Sequence, residues 1–195
     1  ERVENLLSGL ETLEHKIYWL ASIRANFYKP NFISEEILLR MKKNGCTRLS
    51  FGVESGSPRM HKIYNKQITI PEILEAARLN YKYKFFCQYS FIVGAPYETK
   101  KEIIQSLKLA KQIKKIDPLG TIIFHTFRPQ PGCKLYQESL KLGFKNPSNL
   151  KDWPGLTKTS LRGYCSLDNL PWLNIKEAKF YEYLTIFGEL AFQNI

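Results

Sequence analysis

Four short apolar runs set the rhythm of the chain: residues 16–24 (KIYWLASIR), 47–54 (TRLSFGVE), 85–94 (FFCQYSFIVG) and 120–127 (GTIIFHTF). Each has the length and the β-branched and aromatic content of a β-strand. Between them the apolar positions lengthen their period to about 3.6, as in a helix laid on a sheet. One helix is predicted to open at Ser34, with Glu35 and Glu36 in its first turn, where carboxylates meet the positive end of the helix dipole, and to stop at Gly45. Thr69 with Glu72, and Thr99 with Glu102, have the Thr-x-x-Glu spacing of a capping box. The first box precedes a stripe of Ile70, Ile73, Leu74, Ala77 and Tyr81; the second precedes Ile103, Leu107, Ala110 and Ile113. The run 85–94 is apolar nearly throughout, which predicts a strand covered on both faces. Residues 128–132 (RPQPG) lead into a further helix that Gly143 ends.

Strand starts recur roughly every 30 to 40 residues with a helix between, so right-handed crossovers and a parallel sheet are expected. The predicted class is α/β: a partial parallel (β/α) barrel of the TIM type lacking its first strands. A doubly wound dinucleotide fold is disfavoured because no GxGxxG follows the first strand. Residues 1–145 are assigned to this partial barrel and 146–195 to an extension packing on it, with turn-forming breaks at 147–149, 152–155 and 169–172 before a final amphipathic helix from Ile175. The chain opens at Glu1 in what is predicted to be a helix already under way, so an upstream segment is expected.

Composition narrows the function classes. A chain of 195 residues that is 44% apolar can bury the core of one domain. Twenty-nine basic against eighteen acidic side chains leave a net charge of +11. RNA is therefore one partner class to consider, but much of the excess is lysine spread over helix faces (Lys100, Lys101, Lys108, Lys111, Lys114, Lys115), the pattern of a solvated surface. Cys46, Cys87, Cys133 and Cys165 lie far apart without a CxxC pair, which predicts free thiols in a reducing compartment rather than a zinc site or disulfide framework. No apolar run approaches the roughly 20 residues of a membrane span and no secretory leader is recognisable, so a cytoplasmic location is expected.

In barrels of alternating strands and helices the reacting groups lie where strands end. Here those ends carry Arg24; Glu54 with Ser55, Gly56 and Ser57; Gly94 with Ala95 and Pro96; and Arg128 with Pro129 and Pro131. Glu54 offers carboxylate oxygens to hydroxyls or an ammonium, and Gly52 and Gly56 let a ligand approach the backbone. Lys66, twelve residues on, is a point cation suited to a ligand carboxylate. Spacing alone leaves a second use open, with Glu54 capping the next helix and Lys66 on the surface. His61 and His125 have no neighbour at metal-ligand spacing; His125, in a strand, is predicted to be a satisfied core side chain, and no metal is assigned to this segment. GxSxG, HExxH and GxxxxGK[ST] are absent, which leaves hydrolase, metalloprotease and nucleotidase chemistry without sequence support.

Residues 48–57 (RLSFGVESGS), 63–69 (IYNKQIT), 91–99 (FIVGAPYET) and 128–136 (RPQPGCKLY), in that order, resemble the radical S-adenosylmethionine (SAM) superfamily; residues 19–24 and 41–46 add a likeness to the group often associated with an upstream cobalamin-binding domain. The resemblance implies a partial barrel of six strands, here strands three to six. In it a reduced four-iron four-sulfur (4Fe-4S) cluster cleaves SAM to a 5′-deoxyadenosyl radical that abstracts hydrogen from a substrate, with methyl transfer among the outcomes. It implies an external electron donor, and leaves cobalamin, which an upstream domain often binds in that group, open. By position it assigns Glu54, with Ser55 beside it, to the SAM ribose and amino group, Lys66 to its carboxylate, Ser90 to the ribose, and Gly94, Ala95 and Pro96 to the turn beside adenine. Arg24 and Arg128 are candidate substrate or SAM contacts. The family's CxxxCxxC cluster ligands do not occur in the chain and are expected upstream, the segment alone being inactive. Tyr97 replaces a usual Gly and is expected to crowd the adenine side; Gln130 and Cys133 are smaller departures. The rival expectation is a cluster-free barrel serving as a binding or scaffold module.

Overall fold

A computed structural model of the protein describes residues 2–152 and 170–192. Its elements follow the predicted rhythm. Helix α1 (Arg2–Glu11) precedes β1 (Trp19–Ile23), a short 3-10 turn (Ala25–Phe27) and α2 (Glu35–Lys43); β2 (Cys46–Glu54) leads through α3 (Pro58–Ile63) and α4 (Ile70–Lys82) to β3 (Phe86–Val93). Then come α5 (Lys100–Ile116), β4 (Thr121–Thr126), α6 (Lys134–Lys141) and α7 (Ile175–Ala191). Ser34 caps α2, and both Thr-x-x-Glu boxes form reciprocally at α4 and α5. Gly45 ends α2 at φ +88° with its Cα against the Ile17 carbonyl, where a Cβ would lie 2.0 Å from the oxygen.

The four strands are parallel and ordered β1-β2-β3-β4. Sequential order is the signature of a barrel arc: every crossover turns the same way and drops its helix on the same face, whereas a doubly wound sheet reverses its order at a switch point. The helix-facing side carries the core. Leu49, Phe51 and Val53 of β2, Cys87, Tyr89, Phe91 and Val93 of β3, and Ile122 and Phe124 of β4 are all buried there. Register neighbours stack across strands, Phe51 on Tyr89 at 5.5 Å and Phe91 on Phe124 at 5.1 Å between ring centroids. Burying each such side chain stabilises the fold by about 1.5–3 kcal/mol.

The opposite face is open and largely polar. One register row runs Ser22, Ser50, Gln88, Thr121 across all four strands, and the next holds Gly52, Ser90 and Ile123. The expectation that residues 85–94 are covered on both faces is therefore corrected: Phe86 is 60% exposed, and Gln88 and Ser90 are only partly buried. His125 is likewise no core side chain, since it alternates onto this open face and is exposed. Tyr81 leaves the predicted α4 stripe, and Asn80 is buried in its place. Asn80 accepts from the Tyr28 hydroxyl at 2.6 Å and donates to the Tyr89 oxygen at 3.0 Å, and Tyr89 in turn donates to Asp117 at 2.8 Å. A buried amide with its hydrogen bonds made takes a core position that an apolar count gives to a neighbour.

Helix α7 packs on β4 and joins the same core through Tyr181, Leu184 and Phe192. It is not amphipathic as predicted, because Ile175, Phe180, Tyr183, Phe187 and Leu190 are exposed while Tyr181, Leu184, Thr185 and Gly188 are buried. No helix among the described residues is long and apolar enough to cross a membrane. Cys46 and Cys87 are buried free thiols, Cys133 is exposed, and Cys165 lies outside the described residues, as do the breaks at 153–155 and at Asn169.

Candidate functional site

The carboxyl ends of the strands converge on a charged pair. At the end of β2 the register slips by one residue, so that Gly52 faces Ser90 but Glu54 faces Phe91. Glu54 then takes φ +64°, and the Ser55 N–H reaches back to the Val53 carbonyl at 2.8 Å. This closes a γ-turn about a left-handed, non-glycine residue, an uncommon arrangement costing about 1–3 kcal/mol that surroundings must hold in place. The turn folds the Glu54 carboxylate back over the open face, where Oε1 accepts from Lys66 Nζ at 2.5 Å. A Cβ at Gly52 would lie 2.4 Å from Glu54 Oε1 and 2.7 Å from Lys66 Nζ, so the missing side chain is the space the pair occupies.

Lys66 is delivered by the end of α3. Asn65 is left-handed at φ +53°, its N–H bonds the Lys62 carbonyl at 3.1 Å, and the Lys66 N–H bonds the His61 carbonyl at 2.8 Å. These two bonds are a Schellman motif with asparagine in glycine's usual place. Arg24 donates from Nη2 to the Lys66 carbonyl, and Asn26 donates to the Gln67 carbonyl at 2.9 Å. The loop after β1 thereby grips the segment that carries Lys66. Sequence alone gave Arg24 no partner; the structure places it on the backbone of Lys66, 42 residues away.

The other candidates divide. Ser90 lies on the open face beside Gly52 and donates to the Phe51 carbonyl at 3.2 Å, which leaves its oxygen free to accept. Ser55 turns the other way: it is fully buried, its hydroxyl 3.2 Å from that of Ser106 and accepting from the Ser57 N–H at 3.1 Å. Gly94, at φ +78°, and Ala95 donate their N–H groups to Glu98 Oε2 at 2.7 and 3.4 Å, and the Gly94 carbonyl accepts from Trp172 Nε1 at 3.0 Å. With Ala95 and Pro96 buried, this turn offers a shaped apolar wall, its Gly94 polar groups already used. Arg128 is exposed on the loop after β4.

Tyr97 takes φ +66°, and its hydroxyl donates to Glu138 Oε2 on α6 at 2.7 Å while its carbonyl accepts from Arg59 at 2.7 Å. The side chain expected to crowd the adenine side thus reaches across to α6. Residues that sequence reasoning passed over are Asn26, Glu98 and Trp172, which hold the loops behind the pair. Glu98 had a local signal, four residues after Gly94; the others had none. Burial pushes the Glu98 carboxyl up to about 8, although the Gly94 and Ala95 N–H groups pull the other way. Beside it the Arg59 guanidinium holds the Glu102 carboxyl down at about 2.

Among the described residues six buried side-chain atoms lack a hydrogen-bond partner, and five of them (Arg24 Nε, Asn26 Oδ1, His61 Nδ1, Tyr64 Oη, Glu98 Oε1) cluster at this rim. An amino acid group bearing one ammonium and one carboxylate suits the Glu54–Lys66 pair, and ribose hydroxyls suit Ser90. No group of three or more His, Cys, Asp or Glu among these residues is placed to hold a metal ion, so they contain no ligand set for a 4Fe-4S cluster.

A parallel barrel arc with charged and glycine positions gathered at its carboxyl rim is the class that fold and site define. The chain belongs to the radical SAM superfamily, whose family model matches residues 10–110. It is 33% identical over 124 residues to an uncharacterized methyltransferase of Pyrococcus horikoshii, covering 64% of this chain and 25% of the relative. An uncharacterized protein of Methanocaldococcus jannaschii is 28% identical over 131 residues, covering 67% and 25%. The match therefore spans about a quarter of the length of these relatives. Among solved structures, the cobalamin-dependent S-adenosylmethionine radical enzyme OxsB aligns with a TM-score of 0.48 at 24% identity, over 56% of this chain and 16% of OxsB.

Proposed function

We propose that this chain binds SAM along the open carboxyl rim of its sheet, as the SAM-holding portion of a radical SAM enzyme. The observation that carries this is the Glu54–Lys66 pair, laid over Gly52 and beside Ser90 in a chain of that superfamily. Lys66 pairs with the SAM carboxylate, Glu54 accepts from the ammonium and a ribose hydroxyl, and Ser90 meets the ribose. Ala95 and Pro96 wall the adenine side, while Arg24 acts by fixing Lys66. When bound, SAM taking one electron from a cluster held elsewhere in the intact protein would break at its C5′–S bond into methionine and the 5′-deoxyadenosyl radical. Methyl transfer is the outcome suggested by the name of the Pyrococcus relative. A cobalamin requirement, an external electron donor and a small-molecule or macromolecular substrate belong to the same proposal through other parts of that protein.

Calorimetric titration of the chain with SAM tests the binding. Lys66→Met is expected to weaken it at least about tenfold, equivalent to ~1.4 kcal/mol. Absence of binding at millimolar SAM by folded wild-type chain would overturn the reading. Anaerobic reconstitution of the intact protein then tests the chemistry: 5′-deoxyadenosine released from SAM and reductant supports an enzyme, and its absence from cluster-loaded protein leaves a binding module.

A further inference from the structure

His61 lies outside the charged pair yet is bonded to both pieces of backbone that carry it. Its Nε2 is 2.9 Å from the Val53 carbonyl, and because a carbonyl only accepts, Nε2 carries the hydrogen. Burial lowers the pKa of the ring, which favours the neutral form, and Nδ1 then holds an unpartnered lone pair. The Val53 carbonyl is the acceptor that also closes the γ-turn about Glu54. On the other side, the His61 carbonyl accepts the Lys66 N–H at 2.8 Å and completes the Schellman motif. The backbone bond survives any substitution; the bond to Val53 depends on the side chain.

We propose that His61 is a positioning residue whose Nε2–H clamps the Val53 carbonyl, keeping Glu54 in the left-handed turn that lays its carboxylate beside Lys66. A left-handed glutamate is strained, so beside the Lys66 pair the turn is held by what grips the Val53 carbonyl that closes it. The inference rests on the SAM-binding reading only in taking Glu54 and Lys66 as ligand groups.

His61→Gln and His61→Leu separate positioning from packing. A glutamine amide donates from nearly the reach of Nε2, whereas leucine fills the space without a donor. Positioning predicts that the Gln variant keeps SAM affinity within about threefold and that the Leu variant loses about tenfold. Packing alone predicts the reverse order, because an apolar side chain suits a site that leaves His61 only 3% exposed. Hydrogen exchange at the Ser55 amide, the donor of the γ-turn, gives a readout without SAM. It is expected to quicken in the Leu variant and to stay slow in the Gln variant, with β3 amides unchanged in both. Wild-type chain that fails to bind SAM while Ser55 still follows the residue at position 61 refutes the SAM reading and leaves the clamp. Unchanged Ser55 exchange in the Leu variant overturns the clamp whatever SAM does.

Discussion

Gly52 and Glu98 show how single residues set the state of this rim. A methyl group at position 52 would meet only the mobile ends of Glu54 and Lys66, at 2.4 and 2.7 Å, so the chain can fold by moving them. Gly52→Ala is expected to leave thermal stability nearly unchanged and to weaken SAM binding several-fold by calorimetry; equal affinity would show that the pair does not need this space. Glu98 makes a prediction in pH. Its unfolded carboxyl titrates near the ordinary value of 4.5 and its folded one at about 8, so between these values the native state holds a proton that the unfolded chain has released. The contribution is complete below 4.5 and is lost as pH rises toward 8. The melting temperature of wild type should therefore fall relative to Glu98→Gln between pH 5 and pH 8, at about 2–4 °C per kcal/mol for a chain of this size. Parallel curves would show that the carboxyl titrates normally.

At the scale of elements, Glu102 joins two helices, α3 and α5. It closes the capping box of α5 with Thr99, accepts from Ser57 before α3 at 2.9 Å, and pairs with Arg59 of α3 through both oxygens at 2.8 and 2.6 Å. Its pKa is depressed, so the sign is opposite to that of Glu98: the stabilisation is present above 4.5 and disappears as pH falls toward 2. Glu102→Gln should cost roughly 1 kcal/mol at neutral pH, a modest figure because Arg59 is half exposed, and the gap to wild type should close in urea titrations carried into acid. The capping boxes were legible in the sequence because both partners lie within one helical turn. The Arg59–Glu102 pair, 43 residues apart, was not, since only the βα crossover brings α3 against the start of α5.

For the whole molecule, α7 decides how the sheet is finished. It lies on β4 because Gly188 presents no side chain to the Phe124 ring, which a Cβ would approach to 3.0 Å. Gly188→Leu should overpack this contact and cost about 1–3 kcal/mol, measured as a lowered denaturation midpoint. An unchanged midpoint would mean that α7 does not dock there. The same helix leaves Phe180, Tyr183, Phe187 and Leu190 exposed among the charged residues Lys176, Lys179 and Glu182, so apolar side chains lie on both its sides. An amphipathic helix was expected there; which apolar residues face the core depends on a docking angle that the sequence does not state.

The sequence by itself determined the parallel βα order, the capped starts of α2, α4 and α5, and the strand-end positions of Glu54 and Gly94, because each rests on period, capping or turn chemistry within a few residues; for Lys66, spacing left a ligand role and a surface role equally open. Tertiary structure alone decided what those rim residues face. The slipped register and γ-turn set Glu54 on Lys66; the loop after β1 brought Arg24 to the Lys66 carbonyl; Ser55 was turned toward Ser106 and Tyr97 toward Glu138. Each of these contacts spans roughly 10 to 50 residues of chain, and contacts at that range depend on how strands and helices pack together, which no local spacing encodes.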